Sequence, residues 1–209
     1  ELATSVPPRD LKKRIKKIPG VKKVNELTSS DHFRRCYEIW FKQQIDPKNA
    51  KAGYFLQKVY LSDYAVNAPV VAELEGYTAH SAKANELTHL LKANQIRIEH
   101  RFFDKSAPKK GIPWEYLTVE NAAYDQHVII NALREAVYPT NKFVSTGISK
   151  GGQTTMLHRS FYPKDVDASV CYVAPLNFMR EDPRIYSFLS SVATAEEREA
   201  VRAFQVLCL

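Results

Sequence analysis

The sequence predicts an α/β protein, a mostly parallel sheet fronted by an antiparallel hairpin. Three observations carry that prediction. Two β-branched and aromatic runs, 33–41 and 54–61, are separated by a short polar turn region, which is hairpin spacing. Strand-like runs then alternate with segments of helical periodicity, the order that builds parallel pairing. At 142–159 a strand, a Gly-x-Ser-x-Gly turn and a helix follow one another, and a further strand comes at βαβ spacing.

Residues 1–30 read as a polar segment with one short helix after Pro7-Pro8. Leu11 and Ile15 should face the body and the neighbouring lysines water. The first hairpin strand is Phe33–Phe41, the turn Asp46–Gly53, and the second strand Tyr54–Leu61. A buried run, Ala68–Leu74, makes a third strand and ends at Glu75-Gly76-Tyr77. Ala84–Lys92 has helical spacing, and Gln95–His100 is the fourth strand. A loop rich in Lys, Pro and Gly follows from Asp104 to Pro113. Thr118 opens a helix over 118–136 as N-cap, with Asn121 in the first turn and Ile129, Ile130, Leu133 and Val137 as the buried stripe. The fifth strand begins at Lys142-Phe143, and Ala168–Val173 is the sixth. Beyond Pro175 no strand pattern remains, and 196–204 is helical. The chain thus divides into a polar segment at 1–30, an α/β core at 31–176 and the start of a helical cap at 177–209.

Composition narrows the function classes. With 209 residues, 44% hydrophobic and 25% charged, the chain can bury one sizeable core. No apolar run is long enough for stable membrane insertion, and no signal peptide is visible. A start at Glu1-Leu2-Ala3 without Met reads as that of a processed or trimmed chain, which leaves export open. The net charge of +7 gathers in Lys12–Lys17 and Lys22-Lys23. No aromatics interleave with those lysines, so a solvated helix face is favoured over nucleic-acid binding. Cys36 and Cys171 fall in strand runs and are expected to be buried thiols. With Cys208 they show no metal or redox spacing, so no metal and no cofactor is expected.

The turn Gly147-Ile148-Ser149-Lys150-Gly151 carries the chemistry. As a bare pentapeptide it occurs by chance in flexible loops. Between a strand and a helix it is the pattern of a nucleophile elbow, in which a strained turn lifts the serine hydroxyl above the sheet. Glycines flank it because strand and helix come too close for a Cβ. An elbow after the fifth strand is the α/β-hydrolase arrangement. Ser149 is therefore the candidate nucleophile. The backbone N–H of Lys150 and that of Tyr77, brought close by Gly76, are the candidate oxyanion hole. An ordinary strand-ending turn at 75–78 explains that second segment equally well.

A serine needs a base, and in this fold a carboxylate and then a histidine follow it in the chain. Only His158 follows Ser149. It lies nine positions along the same helix, about 13 Å away, and reads as structural. His32, His80, His89, His100 and His127 come in the wrong order. The sheet would also stop at an open apolar parallel edge after the sixth strand. Both features describe an α/β-hydrolase core incomplete at its C-terminal side. Its remaining C-terminal part is then an expected partner, and these residues alone are expected to be inactive.

Longer matches surround the elbow. They are Ile96–Phe103 with its Glu-His-Arg-Phe run, Trp114–Thr118, Ser145–Thr154, Phe161–Asp167 and Tyr172–Leu176. Together they resemble the bacterial secreted serine aminopeptidase family of prolyl tri/tetrapeptidyl aminopeptidase and, more distantly, the lysosomal prolylcarboxypeptidase group. The resemblance covers roughly 33–180. It implies a secreted or periplasmic serine exopeptidase that releases short peptides from free N-termini, with proline preferred at the cut. It makes Ser149 the nucleophile, Gly76, Tyr77 and Lys150 the oxyanion hole, and the segment after Pro175 the start of a cap. The family's later Asp and His have no counterpart here, and Phe103-Asp104-Lys105 departs from relatives that often have glycine there. Glu75, beside the expected oxyanion hole, is a candidate anchor for the substrate ammonium, or else a partner of Arg101. An esterase or lipase of the same fold, or a hydrolase-fold binding module without catalysis, is the alternative reading.

Overall fold

The computed structural model describes residues 11–29 and 32–209. They fall into a larger unit ending at Pro175 and a smaller one, Leu176–Leu209. The larger unit carries strands β1 (Val21–Leu27), β2 (Arg35–Gln44), β3 (Tyr54–Asp63), β4 (Val70–Leu74), β5 (Asn94–Ile98), β6 (Phe143–Ile148) and β7 (Ala168–Tyr172). Its helices are α1 (Leu11–Lys16), α2 (Glu86–Leu91), α3 (Val119–Val137) and α4 (Lys150–Phe161). The strands form one sheet in the order β1-β2-β3-β5-β4-β6-β7.

The α/β class holds, and the 33–41 and 54–61 runs pair as the expected antiparallel hairpin, Ile39 opposite Val59. The antiparallel share is larger than the hairpin alone. The pairs β1–β2, β2–β3 and β3–β5 are antiparallel, whereas β5–β4, β4–β6 and β6–β7 are parallel. The added strand is β1, which lies in the segment expected to be polar and partly helical. A register shift between Val21 and Lys23 breaks its two-residue period, and only Val24 is buried, so no alternation shows in the sequence. The elbow consequently follows the sixth strand of the sheet.

The core follows from the apolar patterns. Every position of β4 is buried, as expected of a central strand covered on both faces. Ile39, Phe41, Val59 and Leu61 meet Ile129, Ile130 and Leu133 of α3. Thr118 caps α3, its hydroxyl accepting from Asn121 N at 3.2 Å. Ile15 of α1 is fully buried and Leu11 packs against the same cluster. Pro7-Pro8 lies outside the described residues. Cys36 is buried as expected, but Cys171 is exposed. It sits on β7, the last strand in the order, whose outward positions no neighbour covers among the described residues.

The smaller unit holds α5 (Pro183–Ser191), which has no counterpart in the sequence expectation, and α6 (Ala195–Cys208). Asp182 caps α5 and Thr194 with Glu197 forms a capping box on α6. Among the described residues no helix is long and apolar enough to cross a membrane.

Candidate active site

Strand β6 delivers Ser149 to the start of α4 with φ 55° and ψ −120°. This is a left-handed backbone for a residue with a Cβ, held because its surroundings over-determine it. Ser149 N donates to Tyr172 O at 3.0 Å, and Ser149 O accepts from Gln153 N at 3.0 Å. A Cβ at Gly147 would lie 2.2 Å from Gly151 O, so only glycine lets strand and helix meet here. Ser149 is exposed, and α4 begins at the next residue with first-turn amides that no earlier helical carbonyl can satisfy.

Opposite that turn lies the loop leaving β4. A Cβ on Gly76 would come within 2.7 Å of Lys150 Cβ and 2.8 Å of Gly151 N, so the Gly76 backbone lies against the start of α4. The Lys150 ammonium sits over the rings of Tyr77, 4.4 Å away, and Phe103, 4.6 Å away. Burial lowers the Lys150 pKa. Ser149, Lys150, Gly76 and Tyr77 are thus brought together, although they come from two segments more than seventy positions apart.

Glu75 enters this loop with its N–H donating to Ile98 O. Its carboxylate lies 3.5 Å from Arg97 Nε, and Arg97 also holds Glu73. The expected alternative partner, Arg101, does not meet it. Arg101 is fully buried, pairs with Asp125 at 2.8 Å and donates to the carbonyls of Gln44, Ile45 and Tyr116. Burial, with the Glu73 charge, pushes the Glu75 carboxyl up to about 7 despite the pull of Arg97. Glu75 is thus a half-desolvated carboxylate that titrates near neutrality.

Glu99 opens the Glu-His-Arg-Phe run, but the sequence assigns it no role. It is fully buried and accepts from Ala79 N at 3.0 Å, Ser106 N at 3.2 Å and Ser106 Oγ at 2.7 Å, while Lys58 Nζ pairs with it at 2.7 Å. One carboxylate therefore ties the loop after β4 to the loop after β5. His100 N adds a bond to Tyr77 O at 3.0 Å. Burial and the nearby Lys150 charge hold the His100 imidazole down at about 4, so it is neutral at physiological pH.

His158 is structural, as expected. Its Nε2 lies 3.1 Å from Asp165 Oδ2, which also takes His127 Nδ1, while Asn131 Nδ2 donates to Asp165 Oδ1. Burial alone would raise the Asp165 pKa, but these hydrogen bonds hold it below the usual carboxylate range. Among the described residues no histidine is hydrogen-bonded to the Ser149 hydroxyl, and no group of three or more His, Cys, Asp or Glu is placed to hold a metal.

A strand–serine–helix elbow on a mixed sheet, with a glycine loop pressed on the helix start, defines the α/β-hydrolase fold. Solved structures agree on the fold. Acetyl xylan esterase 1 of Thermoanaerobacterium sp. superposes with TM-score 0.53 over 97% of this chain and 68% of its own, at 13% identity. The rice cell wall degrading esterase LipA of Xanthomonas oryzae does so with TM-score 0.52 over 74% of this chain and 50% of its own, also at 13% identity. Within that fold the chain belongs to the PS-10 peptidase S37 family, which matches residues 6–209. It is 34% identical over 203 residues to prolyl tri/tetrapeptidyl aminopeptidase of Streptomyces mobaraensis. That alignment covers 96% of this chain and 42% of the relative, so the chain spans less than half the relative's length.

Proposed function

We propose that this chain carries the nucleophile-bearing part of a secreted serine aminopeptidase that releases short peptides from free N-termini, cutting after proline. The observation that carries the reading is the Ser149 backbone at φ 55°, with Gly76 packed against the first turn of the helix behind it. A hydroxyl so presented attacks the scissile carbonyl once a base takes its proton. The amides of Lys150 and Tyr77 then stabilise the oxyanion, the amine product leaves, and water hydrolyses the acyl group on Ser149. The histidine and its carboxylate are supplied by residues outside these 209, consistent with the greater length of the relative. Glu75 takes the substrate's terminal ammonium, its carboxylate being 27% exposed beside the glycine loop.

A fluorophosphonate probe applied to the full-length protein tests the nucleophile. Labelling should occur and vanish in Ser149→Ala; label retained in that variant, or none in the parent, rejects it. Hydrolysis of simple esters much faster than of proline-containing peptides would favour an esterase instead. Glu75→Gln should raise KM about tenfold for free-amine peptides, the scale of one lost charge-assisted contact, and leave N-blocked peptides unchanged.

A further inference from the structure

We infer that the outer face of the antiparallel part of the sheet is a docking cleft for an acidic polypeptide segment that carries apolar side chains. The cleft, about 1100 Å³, lies between β2–β3 and the loop from Asp104 to Pro113. Register explains its floor. Trp40 pairs with Lys23 and Lys58, Leu56 with Lys42, and Tyr54 with Gln44, so Trp40, Leu56 and Tyr54 share one face of the sheet. Tyr54 is 59% exposed and Leu56 39% exposed. Pro108 and Pro113 give the loop side a stiff apolar wall.

The rim selects the charge. Lys23, Lys105, Lys109 and Lys110 line the cleft, all exposed, and none carries an ion pair among the described residues. The acid in the lining, Asp104, is already held by Lys58 at 3.2 Å. The cleft therefore offers uncompensated positive charge above apolar surface, and its complement is carboxylates flanking leucine or aromatic side chains. Lysine ammoniums are point charges that suit separate carboxylates, and the forked arginines that favour phosphate are missing from the lining. The cleft also adjoins the elbow through one loop. Phe103 holds the Lys150 ammonium, and the residues that follow it form the cleft wall. The inference stands without the peptidase reading, because it concerns binding alone.

The test is anisotropy titration of the full-length protein with a fluorescein-labelled peptide of about twelve residues, glutamates around a central Leu-Phe pair. Binding should weaken steeply as salt rises towards about 0.5 M, where screening is nearly complete. K105E/K109E/K110E should lose at least about tenfold in affinity, and Leu56→Asp should lose affinity while the chain keeps its unfolding midpoint. Charge reversal at Lys13 and Lys16 on α1 and at Lys17 just after it should change little. Equal binding of the Glu→Gln peptide, an unchanged Kd in the cleft variants, an equal loss in the α1 variant, tighter binding of a single-stranded oligonucleotide or no binding would each overturn the proposal.

Discussion

The two flanks of the elbow are built to different standards. On the β4–β5 flank the loops are tied by buried charge. Glu99 joins Ala79, Ser106 and Lys58, Arg97 holds Glu73, and Lys150 lies over Tyr77 and Phe103. On the β7 flank cover is thin: Ile148 at the end of β6 is 64% exposed, Val173 just past β7 is 80% exposed, and Cys171 of β7 is exposed. The first flank fixes the Gly76-Tyr77 backbone, proposed above as part of the oxyanion hole, before any substrate arrives, and such preorganisation is what makes an oxyanion site effective. The second presents an apolar edge of the kind proteins seldom leave open. The buried charge pairs thus lie on the flank beside the glycine loop, and the described residues leave the other edge thinly covered.

Substitutions can break this contrast. Gly147→Ala should be the most severe, since its Cβ would overlap Gly151 O at 2.2 Å. It should cost more than about 5 kcal/mol or abolish folding, measured by urea unfolding of the chain. Glu99→Ala should cost about 3–5 kcal/mol in the same experiment, because it leaves the buried Lys58 ammonium with Asp104 alone. A loss below about 1 kcal/mol would mean that the β4–β5 flank is not held by this carboxylate.

Glu75 gives a pH signature of intermediate size. Its folded pKa, about 7, lies above the ordinary 4.5, so the fold binds the proton more tightly than the unfolded chain does. Its contribution is therefore most favourable below 4.5 and declines as pH rises to about 7. Glu75→Gln removes that decline, so its melting temperature should gain on the parent's between those limits and run parallel above them. A constant difference across the range would count against the raised pKa. On the open flank, Cys171→Ser should change stability by less than about 0.5 kcal/mol, because the thiol faces outward. A loss as large as that from Glu99→Ala would erase the contrast.

Much of the site was legible locally. The elbow needs glycines and a strand-to-helix switch within a few residues, so its signal is contiguous. Glu75-Gly76-Tyr77 was recognisable as the end of a strand, but its seat against Lys150 depends on how β4 and β6 pair. Arg101 is the alternative partner the sequence offers for Glu75, whereas the parallel register of β4 and β5 sets Glu73 beside Arg97, and Arg97 also meets Glu75. β1 stayed hidden because its bulge interrupts the alternation that marks a strand, and Cys171 misled because an apolar strand residue is buried only if something covers that face.

By itself, then, the sequence determined the α/β order, the hairpin, the capped α3 and the serine elbow, since each depends on backbone preferences and periodicity over short spans. Only the tertiary structure decided that Glu99 serves two loops, that Lys150 clamps Tyr77 and Phe103, and that lysines from β1 and from the 104–113 loop meet over one apolar face. Those arrangements join residues far apart in the chain through strand register and burial, and no local pattern encodes which distant charge a buried group will find.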